Sequence, residues 1–277
     1  MSNFYVACDL RAESGHVTLG TLDQGALTFS EVRRFQNTPI RDEDSLQWNI
    51  PHLYQEILEG LRAVGGYEEA IDSISCDSWA ADYLLFESDS SLVTPIYHHA
   101  DPRTTEGMQK VLAKVSKEAI YQETGVWPMP TDTLFQLAAE RPKRLNRAQY
   151  LLPVADAFNY LLAGVPRFEM SQASATQLYN SVTHTGQQIE RLYLLGGPAN
   201  SLLNHFIANA LRRPLVVGPA DAAAIGNVLV QALALGHLES LQQAREVVRQ
   251  SFKTETIIPY ATAWDTSFDR LTHLCPA

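Results

Sequence analysis

The chain has 277 residues, 45% of them hydrophobic and 19% charged, which is enough to bury a sizeable core and argues against general disorder. Lysine and arginine total 21 against 31 aspartates and glutamates, a net charge of −10. That excludes non-specific attachment to nucleic acid or to an anionic membrane, since both need a cationic face.

Three scattered cysteines, Cys8, Cys76 and Cys275, make neither a disulfide framework nor a zinc site, and a reduced compartment suits them best. No apolar stretch reaches the roughly eighteen residues of a membrane span. The N-terminus lacks the basic-then-apolar pattern of a secretory signal. The expectation is a soluble, cytoplasmic protein.

In chain order, an apolar strand over Phe4 to Cys8 ends in Asp9, and Glu13-Ser14-Gly15 reads as a turn. Strands over Val17 to Leu22 and Ala26 to Phe35 complete a meander around a turn at Asp23-Gln24-Gly25. Asn49 is a plausible N-cap for a helix with Pro51 in its first turn. Leu53, Tyr54, Ile57, Leu58 and Leu61 make its apolar stripe, and Gly65-Gly66 stops it. Strands at Ile71 to Cys76 and Tyr83 to Phe86 follow. Helices then dominate to Asn180, in pieces near 104–115, 117–123, 131–140 and 154–163.

From Ile189 the pattern alternates again. A buried strand at Leu192 to Leu195 ends in Gly196-Gly197. A helix carries Leu202, Leu203, Phe206, Ile207, Ala210 and Leu211 on one face, and a strand spans Leu215 to Val217. Ala220 to Leu235 is a helix apolar enough to be buried. One amphipathic helix after Glu239, an extended stretch near Ile257 and a last helix near 263–274 complete the chain. Strand–turn–helix units of this kind indicate an α/β fold. The division is 1–182 as a first domain, 183–188 as a linker and 189–277 as the rest.

Four segments carry residues with chemical potential. Asp9, ahead of the small-residue turn DLRAESGH, has the position to hold a hydrated Mg²⁺ while the turn faces a phosphate; the alternative is a strand-ending acid in a hairpin. CDSWAAD sets Asp77 and Asp82 around Trp79 after a strand, where ligands bind in open α/β sheets. An indole beside carboxylates makes a sugar platform, or a core tryptophan with two surface acids. YHHADPRT offers His98, His99, Asp101 and Arg103; neighbouring histidines point apart in a strand or helix and so rarely share a metal, while Asp101 and Arg103 can pair or orient a hydroxyl. The junctions LYLLGGPAN and VVGPADAAAIGN each place glycine before a helix N-terminus, which favours an anion.

The order of these pieces resembles the rhamnulokinases, sugar kinases of the FGGY group with an actin/hexokinase-like (RNase H-like) ATPase fold. The resemblance rests on DL-A-x-S-G, IDSI-x-x-D-S-W, Asp-x-Arg, TLFQL, D-x-F-x-Y-x-L-x-G, ASATQL, L-x-x-x-GG and GP-x-x-A-x-x-x-GN, over most of 4–180 and 189–240. It implies two domains, the first near complete and the second largely missing. It also implies transfer of the γ-phosphate of Mg-ATP to carbon 1 of L-rhamnulose. By position, Asp9 would lie near Mg²⁺ through water; Ala12, Glu13, Ser14, Gly15 and His16 would form a phosphate turn. Trp79, Ala80 and Asp82 would meet the sugar, and Gly196 and Gly197 the nucleotide.

The departures from that pattern are specific. Arg11 replaces a glycine, His16 an arginine, and Asp132 the asparagine of an Asn-Thr-Leu triplet; Ala100 stands where an arginine is expected. The family's His-Asp-Thr, which carries its catalytic base, and its Ser-Gly-Thr-Trp phosphate turn do not occur, and ASATQLYN runs almost directly into QQIERLYLLGG. The catalytic residue is therefore unassigned and turnover is expected to be low. The alternative is a non-catalytic sugar-binding or interaction protein. The remnant after the linker leaves a sheet edge open to self-association.

Overall fold

A computed structural model describes residues 2–66, 70–178, 192–195 and 201–260. Contacts divide the chain into two units, one over Asn3–Thr21 and Phe29–His184, the other over Leu22–Thr28 with Thr185–Ala277. The expected linker at 183–188, the Gly196-Gly197 junction and the last helix lie outside the described residues.

The larger unit is built on a four-stranded sheet. β1 (Asn3–Leu10), β2 (Ser14–Asp23) and β3 (Ala26–Gln36) form the meander, and β6 (Ser73–Asp77) adds beyond β1, giving the order β3-β2-β1-β6. β2 and β3 turn at Gln24 and Gly25, both with positive φ (48° and 81°), the geometry that matches strand twist in a two-residue hairpin. Between β3 and β6 come a small hairpin, β4 (Ile40–Asp42) with β5 (Ser45–Gln47), and helix α1 (Ile50–Val64). The side chain of Asn49 caps α1 by accepting the His52 N–H at 3.2 Å. Ile50, Leu53, Ile57 and Val64 bury its stripe in the main core with Val6, Val17 and Phe158.

β6 runs parallel to β1, in register from Tyr5↔Ser73 to Asp9↔Asp77. Cys8 and Cys76 are partners in this ladder, both buried free thiols. A hydrogen bond with Cys8, and burial, hold the Cys76 thiol well above its ordinary value, which makes it inert.

β7 (Tyr83–Phe86) pairs antiparallel with β8 (Tyr150–Pro153), and α6 (Val154–Ala163) packs on β6, β7 and β8. α2 (Arg103–Leu112), α3 (Lys117–Thr124), α4 (Thr133–Ala138), α5 (Pro142–Leu145) and α7 (Met170–Ser174) make the helical part. α2 lies against α4 so closely that a Cβ on Gly107 would stand 2.0 Å from the Phe135 carbonyl oxygen.

The smaller unit holds a three-stranded sheet, β11 (Glu255–Ile257), β10 (Leu215–Val217) and β9 (Leu192–Leu194), with α8 (Ser201–Leu211), α9 (Ala222–Ala234) and α10 (Leu241–Ser251). Two burial expectations are corrected here. Leu202, Leu203 and Phe206 of α8 and Tyr193 and Leu195 at β9 are exposed. α9 buries Ile225, Val228 and Leu229 on one face but leaves Val230 at 64% exposure. Each of these helices has a described partner on one side only, α8 on β10 and β11 and α9 on α10.

Candidate sugar site and phosphate turn

Asp82 is the centre of the best-built site. It follows the β6 strand by one short loop, and its side chain is 0% exposed. Its Oδ2 accepts the indole N–H of Trp48 and of Trp79, each at 2.8 Å, and lies 2.7 Å from His99 Nδ1. Its Oδ1 accepts the Gln136 amide at 3.0 Å. A buried carboxylate is tolerable only with such compensation.

The rings stack into one wall. Trp48 lies 4.0 Å from His98 at 24° between planes and 4.4 Å from Trp79, and the His98 and His99 centroids are 4.2 Å apart. These two histidines lie in neither a strand nor a helix but in a turn closed by the Asp101 N–H on the His98 carbonyl, which brings their rings side by side. The paired rings titrate in opposite directions. Burial pushes His98 below its ordinary value, while the hydrogen bond to Asp82 raises His99.

The loop itself is held open in an unusual conformation. Ala81 has φ 75°, a left-handed geometry unfavourable for a residue with a Cβ. Its carbonyl accepts Thr133 Oγ1 at 2.6 Å and the Gln136 amide at 3.1 Å. Thr133 and Gln136 both lie on α4, so the Gly107 contact that seats α4 also seats this loop. Trp79 is half-buried and Ala80 exposed.

Asp82 thus reaches a ligand only through the rings it holds, because no part of its carboxylate meets solvent. Trp48 and Gln136 carry the site and were given no role from the sequence. Their signals were a tryptophan just before a helix cap, whose buried N–H requires an acceptor, and the glutamine of TLFQL. Asp101 and Arg103 are structural. Asp101 accepts the backbone N–H of Leu46 and of Arg103. The Arg103 guanidinium stacks on Tyr97 at 3.9 Å, donates to the Gln136 carbonyl and pairs with Glu140. Asp132 accepts the Met129 N–H at 2.7 Å, and burial raises its pKa.

The phosphate turn differs from its expectation in two ways. β1 runs one residue past Asp9, and β2 starts at Ser14, so Ser14, Gly15 and His16 are strand residues and only Arg11–Glu13 form the turn. Gly15 is small for packing: a Cβ there would meet the Phe35 ring at 2.2 Å. His16 lies 3.2 Å from both the Ser14 hydroxyl and Glu31. Ala12 and Glu13 are exposed, and Asn37 braces the turn through the Glu13 and Arg11 carbonyls.

Asp9 is 4% exposed, and its Oδ2 pairs with Arg11 Nε at 2.8 Å and Nη2 at 2.6 Å. A divalent cation at this carboxylate would meet a full positive charge already in contact with it. The residues present therefore do not fit a Mg²⁺ ion. Among the described residues no group of three or more His, Cys, Asp or Glu is placed to hold a metal, and no helix is long and apolar enough to cross a membrane. Gly196 and Gly197 lie outside the described residues.

Comparison with known proteins agrees with the fold. Residues 9–203 match the family model of the FGGY carbohydrate kinases, N-terminal domain. The chain is 39% identical over 180 residues to the rhamnulokinase of Pectobacterium atrosepticum, covering 63% of this chain and 36% of that one. It is 34% identical over 181 residues to the rhamnulokinase of Bacillus subtilis, covering 65% and 37%. It thus spans less than two fifths of these relatives' length.

Among solved structures, gluconate kinase from Lactobacillus acidophilus superposes with a TM-score of 0.57 at 16% identity, covering 65% of this chain and 37% of that one. Plasmodium falciparum glycerol kinase with ADP gives 0.53 at 15%, covering 64% and 38%. The mixed α/β architecture is that of the sugar kinases, and the chain belongs to the FGGY family of carbohydrate kinases, matching its N-terminal domain.

Proposed function

We propose that this chain is the sugar-binding part of a rhamnulokinase-like enzyme, and that the Trp79–Asp82 loop receives L-rhamnulose or a related ketose or polyol. The carrying observation is the Asp82 network, which spends three hydrogen bonds on orienting aromatic rings and a fourth on the Gln136 amide. In this reading Trp79 offers its face to the C–H groups of the sugar, Ala80 leaves room beside it, and Asp82 is a positioning residue.

The reaction of such kinases is transfer of the γ-phosphoryl of Mg-ATP, here to the carbon-1 hydroxyl. We assign this chain little or no turnover of its own. Two observations support that: the guanidinium of Arg11 holds Asp9, and no His-Asp-Thr occurs in the sequence. The same ion pair favours a second reading, a sugar-binding protein that acts without ATP by engaging another macromolecule when sugar is bound.

A thermal melt of the chain with and without millimolar L-rhamnulose tests the site, because a ligand that binds only the native state stabilises it by mass action. The expected result is a cooperative transition raised by sugar. An unchanged melt sinks the sugar site. ADP release at the roughly 1–100 per second typical of kinases sinks the low-turnover reading.

A further inference from the structure

We infer that His99 Nε2 is a hydroxyl-binding atom of this site, held as a hydrogen-bond acceptor by Asp82. The inference rests on the sugar-site reading above and names the atom that reading lacks.

The direction of each bond in the network is forced. An indole N–H can only donate, so Asp82 Oδ2 accepts from Trp48 and from Trp79. An oxygen with both of those bonds has no proton to offer His99. His99 Nδ1, at 2.7 Å, must therefore donate, which leaves the lone pair on Nε2. His98 takes the other tautomer: its Nδ1 accepts the Ala100 N–H at 2.9 Å, so its proton sits on Nε2. His98 is buried against Trp48 and serves as wall.

The ring of His99 is different, with 25% of its side chain exposed. Among the described residues Nε2 has no hydrogen-bond partner, and it is absent from the buried polar atoms left unpaired. It therefore opens to solvent. An acceptor without a proton selects a donor, which excludes an anion. A metal would need more ligands than the described residues supply. The Trp79 indole is fixed on the same carboxylate oxygen, so an apolar face and a hydroxyl acceptor are presented together. That combination suits a polyol, with C–H on one side and O–H on the other.

The elements packed around His99 present two titratable groups to it, Asp82 and His98, with Asp101 standing behind His98. The bond to Asp82 raises His99 above its ordinary 6.5, while burial lowers His98. On acidification His99 is therefore protonated first, and the proton goes to Nε2. Sugar affinity then falls as pH drops through a value above 6.5. Fold stability runs the other way. A histidine raised in the native state contributes stability that is complete below its unfolded pKa and is lost as pH rises through the folded one.

The test is calorimetric titration of the full chain with L-rhamnulose at about pH 8.5 and about pH 6, on either side of an ordinary histidine. Wild type should bind about two- to tenfold more weakly at the lower pH, the worth of one hydrogen bond. In His99→Asn the amide keeps the donor to Asp82 but has nothing at the Nε2 position. It should fold, bind with the same deficit already at the higher pH, and lose the pH dependence. Wild-type affinity that ignores pH, or His99→Asn binding like wild type, overturns the inference while leaving the sugar site standing. No sugar binding at either pH overturns both. Imidazole ¹⁵N spectra at the higher pH add a readout independent of sugar, and an Nε2–H tautomer at His99 refutes the inference.

Discussion

Asp9 and Asp82 are both buried carboxylates of the same unit, yet they are satisfied in opposite ways. Asp82 is held by the indole of its own loop, Trp79, and by an indole, an imidazole and an amide 34, 17 and 54 residues away. Asp9 is held by one guanidinium two residues away, whose own side chain is 44% exposed. The first arrangement fixes four groups around a point and leaves a patterned surface. The second neutralises a charge locally and organises nothing beyond its turn. Sugar recognition needs the first kind of rigidity, and phosphate or metal chemistry is hindered by the second.

The comparison breaks most visibly if Asp82 is removed. Asp82→Ala takes the acceptor from two indole N–H groups and from His99 Nδ1, while the Gln136 amide keeps the Ala81 and Thr131 carbonyls. The expected loss is about 3–5 kcal/mol, as for a buried polar network deprived of one member. Asp82→Asn should cost less, since one oxygen still accepts, but its N–H₂ faces donors. Urea unfolding should rank them Ala above Asn above wild type in destabilisation. A loss for Ala below about 1 kcal/mol, the worth of a single ordinary hydrogen bond, would mean the network is not holding the fold.

A second test moves the support rather than the carboxylate. Gly107→Ala puts a methyl 2.0 Å from the Phe135 carbonyl, and backbone cannot rotate away as a side chain can. The expected cost is about 1–3 kcal/mol from overpacking, with sugar binding weakened because α4 carries Gln136 and Thr133. A variant that is as stable and binds as well as wild type would separate α4 from the site.

The two regions also differ in how far the sequence disclosed them. The meander, the capped α1 with its stripe and the separate strands β6 and β7 follow from local periodicity, and each is found within a few residues of its expected place. The β4–β5 hairpin escaped because its strands have three residues each. β8 escaped because a four-residue strand is defined by its partner β7, far earlier in the chain. The site follows the same rule. Asp9 and Arg11 are neighbours, and a large side chain in place of glycine was a legible warning. Trp48 and Gln136 meet Asp82 across 34 and 54 residues, a proximity that only the tertiary fold creates.

Arg11→Gly tests the Asp9 half of the comparison. The arginine is exposed but Asp9 is only 4% exposed, so leaving that carboxylate unpaired should cost about 1–3 kcal/mol and lower the melting temperature. Asp9 would then lose its counter-charge. Mn²⁺ as a probe should bind this variant more tightly than wild type, by the electron paramagnetic resonance signal of the free ion. Asp9→Asn on the Arg11→Gly background should abolish the gain. Equal Mn²⁺ binding in wild type and variant would show that Arg11 is not what keeps a cation away.

The smallest effect is expected at Ala81, and its size is informative because two opposed terms meet there. The left-handed φ of 75° costs a residue with a Cβ about 1 kcal/mol or more in the native state. Glycine removes that cost but gives the unfolded chain more freedom, about 0.4–1 kcal/mol in the other direction. Ala81→Gly should therefore lie within about 1 kcal/mol of wild type by the same two terms. The strain persists because Thr133 and Gln136 grip the Ala81 carbonyl, so in a Gln136→Ala background, where the loop can relax, the same substitution should become less favourable. If glycine at this position is instead destabilising by more than the unfolded-state term, the Cβ of Ala81 is contributing packing to the loop. The Trp79 platform would then depend on that methyl as well as on Asp82.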